Sequence, residues 1–126
     1  MTGSRRPDGR KALGRQGEEA AARHLVGEGY TIRERNWRCP SGELDLIADD
    51  EGVIVFVEVR SRRETGTFGS PEESIDWRKQ RKVRETAAYY LYRSRATTGK
   101  SRIDVITVLF TAEGQLLKLN HLKNAF

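Results

Sequence analysis

The chain has 126 residues, of which 37% are hydrophobic, 23 are Lys or Arg and 18 are Asp or Glu, so its net charge is +5. This length suits one domain with its own core and is too short for two independent cores. The isoelectric point near 9.7 favours a polyanionic partner, with nucleic acid first and an acidic membrane surface second.

The cysteine content and the start of the chain bound its cellular setting. Cys39 is the single cysteine, which excludes an intrachain disulfide and suits a reducing compartment. The basic start is not followed by an apolar run, so a secretory signal is excluded, and no stretch is long and apolar enough to span a membrane. We therefore expect a cytoplasmic protein without a membrane partner, with residues 1–11 as a flexible basic arm and 12–126 as a single domain.

The hydrophobic pattern predicts elements in the order α-β-β-β-α-β-β. The predicted helices cover Ala12–Glu28 and 76–93, and the predicted strands cover Tyr30–Trp37, Glu43–Ala48, Val53–Arg60, 102–110 and 115–121. The third strand has valine at every odd position from 53 to 59 and is apolar on its other face as well, which is typical of a central strand covered on both sides. The helix that follows would form a right-handed crossover to a parallel strand. These features predict an α/β fold with a mixed sheet flanked by helices.

Two acidic residues interrupt the central pair of strands, where acidic side chains are rare. A turn over residues 49–52 predicts that Asp45 lies opposite Phe56, and therefore on the face of the sheet that carries Glu58. A slip of two residues would place Asp45 directly opposite Glu58. A slip of one residue would instead put the two side chains on opposite faces.

Further acidic residues are predicted to point toward the same place. Glu43 shares the face of Asp45, and at about 100° per residue Glu18 lies on the core-facing stripe of the first helix. Crowded carboxylates repel each other and are costly to desolvate unless a cation lies between them, and Mg²⁺ fits such a cluster. The spacing alone slightly favours the other interpretation, a salt-bridge network with Arg60 and Arg62.

The second helix begins with a dense basic segment. Five of the seven residues from 78 to 84 are basic, and they follow Asp76, the expected N-cap. The predicted nucleic-acid contacts are Arg62, Arg63, Arg78, Lys79, Arg81 and Lys82. Such residues bind phosphates independently of base sequence, although a charged helix face can also be simply solvated. Trp77 and Phe68 could stack on unpaired bases, but a packing role is favoured for Trp77.

Three other features do not indicate a site. Residues 97–101, "TTGKS", end like a phosphate-binding loop, but they lack its first glycine and follow a helix instead of a strand. His24 and His121 are isolated in the sequence, so they indicate no zinc site. Asp104 begins a different strand from the other acids and is interpreted as structural.

Several short motifs occur in a fixed order. They are "GELDLIA" and "FVEVRSR", whose acids are thirteen residues apart, followed by "WRKQRKVR", "RIDVITV" and a closing "NAF". In this combination, from Ala12 to Phe126, the chain resembles the YraN-like family of bacterial proteins. That family resembles a branch of the restriction-endonuclease-like, PD-(D/E)XK nuclease superfamily and is similar to archaeal Holliday junction resolvases. The resemblance therefore implies a restriction-endonuclease-like version of the predicted fold.

The resemblance also implies roles for individual residues. Asp45 and Glu58 match the two metal-binding acids of the superfamily pattern. Glu18 matches an acidic residue that many resolvase-like members present from the first helix, as a third ligand. Gln80 matches a position near the active site, where its amide could hydrogen-bond a carboxylate or a water.

One position departs from the superfamily pattern. A lysine usually stands two residues after the second acid, and here that position holds Arg60. Arginine is effectively never deprotonated, whereas lysine can be tuned to handle a proton. Arg60 could still orient water or neutralise a phosphate as a catalytic residue, or Lys79 or Lys82 could replace the missing lysine.

These features together predict a metal-dependent, structure-selective DNA endonuclease that is resolvase-like and uses Mg²⁺ or Mn²⁺. The alternative is a nucleic-acid-binding protein that retains the nuclease fold without its chemistry, and a third hypothesis is a basic protein-interaction module. The expected partner is branched or otherwise structured DNA. A homodimer would suit the two symmetric cuts of a four-way junction.

Overall fold

The computed structural model describes residues 9–64, 76–94 and 99–126. Its elements are α1 (Gly9–Gly27), β1 (Thr31–Cys39), β2 (Gly42–Asp50), β3 (Val53–Arg63), α2 (Trp77–Ser94), β4 (Ser101–Phe110) and β5 (Leu116–Leu122). This is the predicted order of elements. Helix α1 already begins at Gly9, within the predicted basic arm, and residues 1–8 of that arm lie outside the described part of the chain. None of the helices in the described ranges is long and apolar enough to cross a membrane.

Within the described residues, five strands form a mixed sheet in the order β1-β2-β3-β4-β5. Strands β3 and β4 are parallel, whereas the other neighbouring pairs are antiparallel. Helix α2 joins the two parallel strands, as predicted. A parallel pair requires such a crossover, because the chain must return to the same end of the sheet before it can run in the same direction again.

Strand β3 lies at the centre of the sheet and is buried on both faces. Val55 and Val57 belong to the apolar cluster that α1 completes through Leu25, whereas Phe56 belongs to the cluster that α2 completes through Val83. This two-sided burial explains why apolar residues occupy both odd and even positions of the strand. The sheet therefore has an α1 face and an α2 face.

The turn between β2 and β3 is shorter than predicted. Asp50 pairs with Val53, so Glu51 and Gly52 are the two residues between the strands. Both have positive φ, 50° and 89°, as required by the two-residue turns that match the twist of a hairpin. The Gly52 N–H donates to Asp49 Oδ1 at 3.1 Å, which holds the turn closed.

The shorter turn changes the register of the two strands. The ladder pairs Ile47 with Phe56 and ends with Leu46 paired with Val57. The predicted pairing of Asp45 with Phe56 is therefore wrong by two residues. A slip of two keeps each side chain on its face, because side chains alternate with a period of two.

A buried polar cluster lies on the α1 face. Asp104 pairs with Val57 of β3 and shares its face, and its carboxylate is fully buried. It accepts hydrogen bonds from Arg102 Nε at 3.0 Å, His121 Nε2 at 2.7 Å and the Asn124 N–H at 2.9 Å. These contacts agree with the structural role expected for Asp104, since a buried carboxylate needs such donors.

The two histidines are not isolated in the fold. His24 Nε2 lies 3.1 Å from His121 Nδ1, although 97 residues separate them in the chain. Because a carboxylate can only accept, His121 donates through Nε2 to Asp104, and its Nδ1 is left to accept from His24. The pair therefore extends the Asp104 cluster toward the surface of α1.

Candidate active site

Asp45 and Glu58 meet where β2 and β3 stop pairing through their main chains. Beyond Leu46 and Val57, the Asp45 side chain replaces a main-chain acceptor, and its Oδ2 accepts the Val59 N–H at 2.9 Å. Glu58 is 3% exposed. The divergence of the two strands thus brings the half-buried Asp45 carboxyl group close to the buried Glu58 carboxyl group.

Helix α2 places a cation against this pair. Lys79 Nζ lies 3.2 Å from Glu58 Oε1, and Asp76 caps the helix by accepting the Lys79 N–H at 2.9 Å, as predicted. Lys79 precedes the buried Val83 by four residues, so both lie on the sheet-facing side of α2. That spacing is the sequence signal for this contact. From the sequence, Lys79 is instead predicted to contact DNA or to replace the missing superfamily lysine.

The pKa values of both acids are raised. Burial and the charge of Asp45 raise the pKa of Glu58 to about 7, and the charges of Lys79 and Arg60 oppose this rise without cancelling it. Burial also raises the pKa of Asp45, despite the main-chain hydrogen bond and the charge of Lys79. The half-buried Arg60 therefore contributes to the field at both acids. The pair remains short of positive charge.

One oxygen of the pair has no donor. Glu58 Oε2 is buried and makes no hydrogen bond to any residue in the described ranges, while Oε1 contacts Lys79. Leaving a buried polar atom unsatisfied costs about 1–3 kcal/mol, and more when the atom is charged. Native proteins retain such atoms mainly where function requires them.

Glu18 approaches the pair from α1. Helix α1 packs closely on β3 because Gly17 has no side chain, and a Cβ at this position would collide with Ser61. Burial, and next the charge of Asp45, raise the pKa of Glu18, although a hydrogen bond with the Asn36 side chain opposes this. Glu18 is half-buried and close enough to Asp45 to interact with it electrostatically.

The Asp45 and Glu58 carboxylates are the type of ligand that a hard divalent cation prefers, but they are few. Mg²⁺ is commonly bound by one or two carboxylates and keeps several waters, and the Asp45–Glu58 pair with its unsatisfied oxygen suits that requirement. No group of three or more His, Cys, Asp or Glu side chains is arranged to hold a metal ion within the part of the chain that the structure describes. The structure therefore brings Asp45 and Glu58 together and leaves Glu18 beside them.

A cleft lies beside Lys79, the residue that contacts Glu58. It has a volume of about 340 Å³ and is lined by Gly42, Glu43, Arg78, Lys79, Lys82 and Val83. Gly42 has φ 152°, and a Cβ there would lie 3.0 Å from Thr86 Oγ1, so glycine allows β2 to begin this close to α2. The cleft connects Lys79 to the exposed side chains of Arg78 and Lys82.

The other predicted nucleic-acid contacts and Gln80 lie on β3 and α2. Arg62 is half-buried and Arg63 is exposed, both at the end of β3. Arg81 is exposed on α2, and its Nε lies 3.9 Å from Glu85 Oε1. Gln80 is half-buried beside Lys79.

Of the two aromatic residues that could stack on bases, the structure describes only Trp77. Trp77 is 64% exposed at the first position of α2, so the packing role favoured for it is wrong. The helical phase explains this, because Trp77 is six residues before Val83 and lies away from the buried stripe. Phe68 lies outside the described residues.

Residues 17–108 match the profile of a family described as "Uncharacterised protein family UPF0102". Curated bacterial relatives align with nearly the whole chain. The UPF0102 protein of Desulforamulus reducens is 49% identical over 118 residues, which is 92% of this chain and 96% of the relative. That of Pelotomaculum thermopropionicum is 50% identical over 120 residues, covering 94% and 98% respectively. That of Myxococcus xanthus is 40% identical over 120 residues, covering 95% and 93%.

Proposed function

Since the chain belongs to the UPF0102 family, which is the YraN-like family named above, its motifs and its site can be interpreted together. We propose that it is a metal-dependent endonuclease that hydrolyses phosphodiester bonds in DNA, using a fold of the restriction-endonuclease-like PD-(D/E)XK superfamily. Its proposed substrate is branched or otherwise structured DNA in the cytoplasm.

The observation that carries the proposal is the closeness of the Asp45 and Glu58 carboxyl groups. Glu58 is buried with an unsatisfied oxygen, and its burial and the charge of Asp45 raise its pKa to about 7 at the point where two strands diverge. Such an arrangement is costly for folding alone, and perturbed acids of this kind concentrate at functional sites. A divalent cation would remove both the repulsion and the unsatisfied oxygen.

In this proposal, Asp45 and Glu58 would hold Mg²⁺ or Mn²⁺, and Glu18, which is close enough to Asp45 to interact with it electrostatically, would be the third acid of the site. When bound, such an ion supplies Lewis-acid activation of water and neutralises charge that develops on the phosphate. The main-chain N–H of Val59 fixes the Asp45 carboxylate in one orientation, which leaves its position independent of the ligand. Ligand geometry held by the backbone in this way limits reorganisation during the reaction.

Lys79 and Arg60 supply the positive charge that the phosphate requires. Lys79 is 41% exposed at its side chain while it contacts Glu58, so it can reach both the acid and a ligand in the cleft. Arg60 remains charged at every physiological pH and can only neutralise or orient. We therefore assign to Lys79 the position that the superfamily lysine would occupy in space, and to Arg60 an electrostatic role at the same site.

The test is cleavage of supercoiled, flapped and four-way DNA with and without Mg²⁺ or Mn²⁺. We expect cutting that requires the metal and that Asp45→Asn and Glu58→Gln abolish. Glu51→Gln is the matched control, because Glu51 is an exposed acid in the turn that joins the same two strands. Folded protein that cuts none of these substrates, or variants that cut as well as the control, would refute the proposal.

The second candidate is a DNA-binding protein without catalysis. The ion pair of Lys79 with Glu58, together with Arg60 at the usual lysine position, favours it, since these cations reduce the need for a metal. Titration calorimetry with Mn²⁺ distinguishes the two functions. Binding that Asp45→Asn abolishes supports the endonuclease, whereas no binding to the folded wild type supports the second candidate.

A further inference from the structure

Trp77 is an exposed indole that the fold does not use. Its side chain is 64% exposed, and it is the first residue of α2. The other tryptophan, Trp37, is half-buried and packs edge-on against Tyr90 with ring centroids 5.1 Å apart. An indole left in water contributes little to stability, and its face is available to a ligand.

Cations flank this indole. The Arg78 guanidinium lies over the Trp77 ring, with its central carbon 5.3 Å from the ring centroid. Arg81 follows Trp77 by four residues and lies on the same side of the helix. A flat aromatic surface bordered by guanidinium groups is the combination used to bind single-stranded nucleic acid, where bases stack and cations follow the phosphates.

The indole lies on the same turn of α2 as Lys79 but on another side of the helix. Trp77 precedes Lys79 by two residues, which is about 3 Å along a helix axis and about 200° around it, so Lys79 contacts Glu58 on the sheet-facing side while the indole lies on the outward side. A base that stacks on Trp77 would therefore belong to a strand that leaves the proposed site around the first turn of α2, beyond the nucleotide whose phosphate is cut. Bases within a continuous duplex are already stacked on their neighbours and do not offer a free face.

We infer that Trp77 stacks on an unpaired base of the strand that leaves the site, so that the substrate class is DNA with single-stranded nucleotides beside the cleavage point, such as a flap or a splayed arm. This inference rests on the proposed endonuclease function. It narrows that function, because a continuous duplex would lack the base that Trp77 binds.

The binding experiment uses the full chain in EDTA, so that cleavage does not interfere. Fluorescence anisotropy at one fixed salt concentration measures affinity for labelled oligo-dT, a blunt duplex and a flapped duplex. We expect Trp77→Ala to weaken oligo-dT and flap binding roughly tenfold, Trp77→Phe to weaken it less, and duplex binding to remain within about twofold. Indole fluorescence of the wild type should fall on addition of oligo-dT, and this decrease should vanish in Trp77→Ala, which retains Trp37.

The matched control is Tyr92→Ala. Tyr92 is 81% exposed on the same helix, but fifteen residues further on, which is about 22 Å along its axis. Its replacement should leave all three affinities unchanged. Circular dichroism checks that each variant is folded, as expected for substitutions of exposed residues.

Three outcomes separate this inference from the proposed function. Unchanged oligo-dT binding by folded Trp77→Ala, or an equal loss of duplex binding, overturns the inference even if metal-dependent cleavage is observed. Selective loss of single-strand binding supports it, even if the wild type never cuts. A wild type that binds none of the three DNAs overturns it, and would leave Trp77 as a contact for a protein.

Discussion

The two buried acidic clusters of this protein lie on opposite faces of one sheet and differ in how far they are compensated. Burial alone would raise the pKa of Asp104, but donation from His121, the Asn124 N–H and Arg102 holds it below its ordinary value. At Glu58, burial and the neighbouring Asp45 raise the pKa to about 7. One acid is satisfied by the fold, and the other is not.

This difference separates a structural acid from a candidate functional one. Both acids are almost inaccessible, with Asp104 0% and Glu58 3% exposed, so burial does not distinguish them. Within the described residues the donors do, because Asp104 accepts from three residues, whereas Glu58 pairs with Lys79 through one oxygen and its other oxygen accepts no hydrogen bond. A buried acid that the protein leaves incomplete indicates a place for a cation.

The largest expected effect on stability comes from replacing Asp104, the acid whose charge is compensated. Asp104→Asn should lower the free energy of unfolding by about 3–5 kcal/mol, because it leaves the buried groups of Arg102 and His121 without their charged acceptor. Urea denaturation measures the loss. At about pH 5, where Glu58 is protonated in the folded state, Glu58→Gln should change stability by less than about 1 kcal/mol, since an amide replaces an uncharged carboxyl group of similar shape. Equal losses in the two variants would contradict the distinction between the clusters.

The next effect concerns the helix that lies over one cluster and carries Glu18 to the other. Gly17→Ala should destabilise the protein by about 1–3 kcal/mol, because the new Cβ collides with Ser61 and forces α1 away from β3. Gly14→Ala is the control on the same helix. A Cβ there meets nothing within 4 Å, so the change should stabilise by roughly 0.5–1 kcal/mol. Thermal unfolding of both variants would refute this account if their effects had the same sign.

The pH dependence of stability should distinguish the clusters by sign. Glu58 has a folded pKa of about 7, above its ordinary 4.5, so the folded state binds more protons than the unfolded state between these values. Its contribution therefore falls as pH rises from about 4.5 to about 7, and Glu58→Gln removes this decline. Asp104, with a lowered pKa, contributes stability that is lost as pH falls below its ordinary 3.8. Urea unfolding across pH 3–8 would contradict the assignment if Glu58→Gln and wild type ran parallel.

The smallest expected effect is a shift in the pKa of Glu58 when its cation, Lys79, is replaced. Lys79→Met should raise the pKa of Glu58 further, because the Lys79 ammonium now stabilises its charged form at 3.2 Å. Carbon-13 NMR of the Glu58 carboxyl measures this shift. Lys82 is an exposed residue three positions after Lys79 on the same helix, so Lys82→Met should leave the pKa of Glu58 nearly unchanged. A similar shift in both variants would mean that general charge, and not contact, sets the pKa.

Much of the fold could be predicted because its signals are local. The alternation of β3 and the helical phase of α2 depend on residues close in the chain, and they predicted the element order and the central parallel pair. The partner of Phe56 could not be predicted in the same way. A two-residue change in turn length preserves every face, so the hydrophobic pattern does not distinguish Asp45 from Ile47 as that partner.

The candidate site shows the same limit. The helical position of Lys79, four residues before Val83, was visible in the sequence, but its contact with Glu58 depends on how far along β3 the helix is placed. The contact of His24 with His121 joins residues 97 apart, and no local pattern predicts it. The exposure of Trp77 likewise depends on what the tertiary structure leaves uncovered.

The sequence by itself determined which residues face each side of the sheet, since backbone geometry imposes periods of two and 3.6 on any strand or helix. It thereby placed Asp45 and Glu58 on one face, and the family resemblance suggested their chemistry. Only the tertiary structure decided which acid is satisfied and which is not. Donors reach Asp104 from β5 and the segment after it, and Glu58 receives its cation from α2. Such long-range contacts arise from packing whole elements together, and they set the charge balance on which the proposed function depends.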